Sequence, residues 1–281
     1  MDLKNLEQTP PWDWPAGTRE TLMRSLQDRR SAVSDRIIAA EMAGDLTVMD
    51  DQMAELLLGV LGGADEPEQV RAKAAISLGP VLEHSDIEGF DDAFAEPPIA
   101  EETFDKIQAT LRELYIDEGV PKLVRRRILE ASVRAPQDWH TDAVRAAYSG
   151  GDDDWRLTSV FCMRYIRGFD NQIVEALKSR KSDIHLEAVR AAGDREVDAA
   201  WPHVAALIAN KTTDKPLLLA AIGAAASIRP REARSVIGPL LDSEDEEIEE
   251  VASEALAMAE SSFGEDDDEG DWDEGVGPQP S

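Results

Sequence analysis

From Thr18 to Glu260 the apolar residues recur at intervals of three and four, and no stretch sustains the alternation of apolar and polar positions that a half-buried strand needs. This spacing predicts helices throughout and no strands. Thr18 holds an N-cap position before the amphipathic run TRETLMRSLQDRR, where the first predicted helix begins. Breakers divide the pattern at Gly44-Asp45, Gly62-Gly63, Gly119, Pro136, Gly150-Gly151, Gly168, Gly193-Asp194, Thr212 to Asp214 and Pro230, so short helices joined by tight turns are expected. The stretch HSDIEGFDDAFAEPPIAEE, residues 84–102, is acidic with a double proline near its end and reads as an insertion loop. Residues 1–17 form an extension rich in Pro and Trp, and residues 261–281, acidic and rich in Gly and Pro, read as a disordered tail.

The pattern repeats. Seven segments share an apolar anchor, at Val33, Val70, Val124, Trp155, Ile184, Leu217 and Ile248. Seven positions beyond each anchor stand Ala40, Ser77, Ala131, Cys162, Ala191, Ala224 and Ala255, all small. Offsets of four and seven stay on the anchor's face at 3.6 residues per turn, so each helix should present a stripe that a neighbour approaches closely. The last four intervals between anchors are roughly 30 residues, enough for two short helices and two turns.

Within these segments a turn acid is followed by Val-Arg, then Ala, then Ala-Leu-Gly, which looks like the second helix of a HEAT repeat. Val70-Arg71, Val124-Arg125 and Trp155-Arg156 match the Val-Arg step, and Ser77-Leu78-Gly79 and Ala255-Leu256-Ala257 match its end. The resemblance covers residues 18–260 and implies an α-solenoid of about seven antiparallel helix pairs, with second helices lining a concave face. The short period departs from the longer HEAT pattern, and four of the seven units lack the Arg.

Charge narrows the partners. A formal net charge of -29 repels phosphate backbones and anionic lipid, which disfavours nucleic acid and membrane surfaces. The N-terminus lacks a signal-peptide pattern and no stretch has the ~20 apolar residues of a membrane span. With one cysteine, Cys162, no intramolecular disulfide is available, and a cytoplasmic protein is expected. The centre differs from the rest: between Gly119 and Arg195 stand fourteen Lys and Arg against eleven Asp and Glu. Asp-Arg pairing between neighbouring repeats is the simpler reading of this basic island, a binding surface the sharper one.

Chemistry is sparse. His84, His140, His185 and His203 show no His-x-x-x-His or Glu-x-x-His spacing, and none is followed by Glu as in the iron-binding pairs of HEAT-like hydroxylases acting on deoxyhypusine. Cys162 sits in the small-residue stripe, where a thiol is buried and inert. No phosphate loop or nucleophile elbow appears. Neither catalytic residues, cofactor nor metal are therefore expected. The leading expectation is a non-catalytic scaffold that holds a protein or peptide on the concave face, with Arg126, Leu129, Val133, Phe161 and Arg164 as its central contacts. The alternative is a HEAT-like enzyme subunit of the bilin lyase type. A HEAT-like nucleic-acid-binding protein comes third, against the charge.

Overall fold

The computed structural model describes residues 3–90, 97–150 and 152–264, and every regular element among them is helical. The chain divides into two compact units, Met1–Ile166 and Arg167–Ser281.

The first unit contains α1 (Leu3–Glu7), α2 (Thr18–Gln27), α3 (Val33–Met42), α4 (Asp51–Gly62), α5 (Glu68–Ser77), α6 (Gly79–Glu88), α7 (Glu101–Ile116), α8 (Lys122–Ser132), α9 (Asp138–Ser149) and α10 (Asp153–Cys162). Four antiparallel pairs follow, α2 with α3, α4 with α5, α7 with α8 and α9 with α10, and the second members stack in the order α3, α5, α8, α10. The second unit contains α11 (Asp170–Ala176), α12 (Ser182–Asp194), α13 (Trp201–Ala209), α14 (Lys215–Ile228), α15 (Pro230–Ile237) and α16 (Glu246–Gly264). Its pairs are α11 with α12, α13 with α14 and α15 with α16, and α14 packs against both α12 and α16. All seven anchors fall on second helices, as the repeat predicts.

Local sequence sets the helix starts. The Asp50 and Asp152 carboxylates accept the backbone N–H of Met53 and Trp155, satisfying donors that the first turn leaves free. Proline at the start of α6, α13, α14 and α15 has no N–H to waste there. Thr18 is the first residue of α2, and its hydroxyl donates to the Pro15 carbonyl at 2.7 Å instead of capping.

Repeats approach closely at the small-residue stripe within each unit. Ala40, Ser77, Ala131, Cys162, Ala191, Ala224 and Ala255 are all buried. Glycines of the preceding repeat meet it: a Cβ added at Gly44 would stand 2.8 Å from the Ser77 carbonyl oxygen, and one at Gly193 2.8 Å from Ala224 Cα. The anchors are buried at Val70, Val124, Ile184 and Leu217, but Val33, at the start of the first second-helix, is exposed.

Two polar patterns repeat along the chain. Arg36, Arg71 and Arg125 each donate to the carbonyl ten residues upstream, Leu26, Leu61 and Tyr115, at 2.7–2.9 Å. These arginines tie α3, α5 and α8 to the C-terminal ends of their partner helices; Arg71 and Arg125 belong to the Val-Arg step, while Arg36 stands three positions past Val33. Between repeats, Arg36 pairs with Glu66, Lys122 with Asp152 and Lys215 with Asp245, each 30 residues on, at 2.5–2.8 Å.

Three boundaries differ from those the sequence predicts. The 1–17 extension is not a bare lead-in, because α1 buries Leu3 and Leu6, and Trp14 packs against the core with its Nε1 donating to the carbonyls of Leu6 and Thr9. The expected loop 84–102 is helical at both ends, with α6 continuing to Glu88 and α7 starting at Glu101; residues 91–96 lie outside the described set. The expected tail 261–281 begins inside α16, and residues 265–281 lie outside the described set.

Candidate functional site

A groove of about 530 Å³ opens in the first unit where the C-terminal ends of α3 and α5 approach the segment after α1. Trp14, Met42 and Ile76 give it apolar walls, while Glu7, Asp45, Lys73 and Arg134 bring charge to its lining. Lys73 Nζ lies 2.9 Å from Glu41 Oε2. Arg134 Nη1 lies 2.6 Å from Glu83 Oε2, and its guanidinium also sits 5.7 Å from the Phe161 ring centre and 5.4 Å from that of Tyr165. Both cations are thus held in place by a carboxylate. The groove owes one wall to the N-terminal segment, which Trp14 pins down through its two indole hydrogen bonds.

The five residues expected to contact a partner do not form one exposed surface. Leu129 and Val133 are fully buried, because α8 is covered on the face opposite the stripe as well as on the stripe itself. Arg126 is buried too: its Nε donates to the Thr158 hydroxyl at 3.0 Å and its Nη1 stands 3.2 Å from Asp154. Thr158 in turn donates to buried Glu130 at 2.6 Å, and Arg127 pairs with the other oxygen of the same carboxylate. This network joins α8 to α10 and consumes the start of the basic island, together with Lys122, whose ammonium is 2.8 Å from both Asp152 and Asp154. Hydrogen bonds between the partners hold Lys122 above and Asp152 and Asp154 below their ordinary pKa values. Only Phe161 and Arg164 remain half-exposed, with the guanidinium 5.6 Å from the ring centre. Arg134, which sequence reasoning passed over, links that pair to the groove.

The histidines divide by environment. His140 is fully buried; its Nδ1 accepts the Gln137 N–H at 2.8 Å, and its Nε2 therefore carries the proton toward Ser132 Oγ at 2.9 Å. Burial lowers its pKa to about 4. His185 on α12 and His203 on α13 come together in the second unit, with their Nε2 atoms 2.8 Å apart. Both are half-buried, and desolvation lowers both pKa values; the Asp214 charge opposes this at His185, while His185 itself lowers His203 further. The sequence places these two in different helices 18 residues apart, so no single-helix spacing marks them. Among the described residues no group of three or more His, Cys, Asp or Glu is placed to hold a metal ion. Cys162 is a buried thiol, as its stripe position predicts. No described helix is long and apolar enough to cross a membrane.

No family model and no curated protein sequence matches the chain. Solved structures that are similar to it include human deoxyhypusine hydroxylase in complex with glycerol, at 17% identity over 92% of this chain and 88% of that one, with a TM-score of 0.40. The Escherichia coli YibA protein is similar at 16% identity over 91% and 85%, with a TM-score of 0.46, and an engineered protein at 16% over 92% and 73%, with a TM-score of 0.45. At these identities the likeness concerns the helical fold alone. The expectation of a non-catalytic scaffold that is not an enzyme is corrected on other grounds. That expectation took a helix-pair array without a catalytic motif as grounds against catalysis, and a fold does not fix a function. Its assigned contacts Arg126, Leu129 and Val133 are buried as well.

Proposed function

We propose that the chain is a HEAT-like enzyme subunit whose groove beside Trp14 holds a small organic substrate. The observation that carries this reading is the groove itself, whose volume of about 530 Å³ falls within the range of small-molecule sites. Its composition also suits an organic molecule. Trp14, Met42 and Ile76 offer apolar contact, and the Lys73–Glu41 pair offers a donor and an acceptor at a fixed position. A subunit of the bilin lyase type, which brings an organic group to another protein, is the finer form of this reading.

The test is occupancy. Untagged protein isolated from its native cells is denatured, and the supernatant is read by mass spectrometry and visible absorbance. A small organic compound is expected at a substantial fraction of one per chain, and to be lost from a folded Ile76→Trp variant in which an indole fills the groove. Recovery of the same compounds from both proteins, or of none from either, contradicts the proposal.

A further inference from the structure

A second cavity in the first unit, of about 260 Å³, opens where the C-terminal ends of α7 and α9 meet the first turns of α8 and α10. Tyr115, Arg125 and Trp155 bring the large side chains to its lining, and Ala146, Ala147 and Gly150 leave the space between them. It shares no lining residue with the groove beside Trp14 and does not rest on the reading of that groove. Its large side chains are braced. Arg125 Nε donates to the Tyr115 carbonyl at 2.7 Å, and the guanidinium lies 5.6 Å from the Tyr115 ring centre. Trp155 stands at 87° to the Tyr115 ring, with centres 6.4 Å apart. Trp139 supports the same ring at 5.2 Å, and is itself fixed by its Nε1 donating to Gln137 Oε1 at 2.7 Å and by stacking on His140.

The polar groups of this lining are one-sided. Arg36 spends both terminal nitrogens, on Glu66 and on the Leu26 carbonyl. Arg125 spends only Nε, and its two terminal nitrogens have no hydrogen-bond or carboxylate partner among the described residues. Neither the Tyr115 hydroxyl nor the Trp155 indole N–H has a hydrogen-bond partner among them. Burial raises the Tyr115 pKa against the pull of the Arg125 charge, so the phenol keeps a proton to donate. No described Asp or Glu lines the cavity, in a chain with 58 of them, and the carboxylates of Asp152 and Asp154 beside Trp155 are engaged by Lys122 and Arg126. Donors with no acid among them call for a ligand that accepts, and a guanidinium fork matches a planar carboxylate through two parallel N–H···O bonds. The aromatic walls call for a ring beside that carboxylate. The volume lies just below the ~300 Å³ at which sites for drug-sized molecules begin, which suits a single ring. We propose that this cavity binds a small aromatic carboxylate, with Arg125 holding the acid and Tyr115 and Trp155 flanking the ring.

The experiment follows the indole N–H signals of the full chain by nitrogen-15 NMR during titration with benzoate, benzamide or acetate at constant ionic strength. The 6 Trp give six signals, and the one missing from Trp155→Phe identifies Trp155. Benzoate is expected to shift the Trp155 signal saturably. Benzamide, which lacks the charge, and acetate, which lacks the ring, should bind roughly tenfold or more weakly. Ala146→Leu fills the cavity from an exposed position, so it should abolish the shift in a chain that melts as the wild type does. Arg125→Lys keeps the charge but loses the fork, and should weaken benzoate roughly tenfold. Benzamide binding as tightly as benzoate, a Trp155 signal that moves without saturating, an Arg125→Lys affinity equal to that of the wild type, or an undiminished shift in folded Ala146→Leu would overturn the proposal.

Discussion

At the residue scale, burial decides what a polar side chain does. His140 is the sharpest case, since the fold holds its imidazole neutral between the Gln137 N–H and Ser132 Oγ, with a pKa lowered from 6.5 to about 4. Protonating Nδ1 would set two donors against each other. A base whose folded pKa is depressed contributes stability that is complete above its unfolded pKa of 6.5 and is lost as the pH falls from there toward 4. The shift corresponds to about 3 kcal/mol. Denaturant melts across this range should therefore show a steeper acid loss in the wild type than in His140→Gln; parallel curves would mean that the imidazole is not held neutral. Glycine gives the complementary test. At Gly193 an added methyl meets Ala224 Cα at 2.8 Å, whereas at Gly223 nothing lies within 4 Å. Gly193→Ala should lose about 1–2 kcal/mol net, as overpacking outweighs helix propensity. Gly223→Ala should gain about 0.5–1 kcal/mol, because only propensity changes. Equal effects at the two sites in thermal melts would refute the close-approach account.

At the element scale, what the sequence reveals depends on periodicity. The seven second helices were legible because their anchors and small residues recur on one helical face over two turns. α1 was not, since LKNLE is five residues long, too short for a period, and its burial depends on α3 and Trp14. α6 was hidden for another reason. Its second half, His84 to Glu88, is polar and precedes an acidic stretch, so local composition reads as loop while Ser85 is in fact buried. The groove shares the fate of α1, because one wall belongs to a segment read as an extension. The His185–His203 contact joins elements of two successive repeats, which a search for spacing within one helix cannot find. From the pinning role of Trp14 comes a prediction at this scale. Trp14→Ala removes both indole hydrogen bonds and the apolar contact, so amides of α1 should exchange with deuterium much faster while those of α8 stay protected. Unchanged exchange in α1 would show that Trp14 does not hold the segment.

At the scale of the whole molecule, charge and chemistry pull on different parts. Ion pairs between repeats are mostly exposed, and such pairs contribute little each, about 0–1 kcal/mol. The net charge of -29 opposes compaction everywhere. Shortening the Debye length from about 30 to 8 Å should therefore raise the melting temperature. A fall on adding salt would mean that the pairs outweigh the repulsion. The charge count left two readings of the central island, and the simpler one describes its start: Lys122 and Arg126 are taken up by Asp152, Asp154, Thr158 and Glu130 within the fold. Among the described residues the groove beside Trp14 is open to a ligand. The most direct measurement of its role is turnover: the chain is incubated with a small-molecule extract of its own cells and metabolite masses are followed over time. The account predicts that at least one compound is consumed as another appears, and that folded Ile76→Trp and Lys73→Ala variants abolish the change. An extract that stays the same with the wild-type chain, or changes equally with the variants, would contradict it.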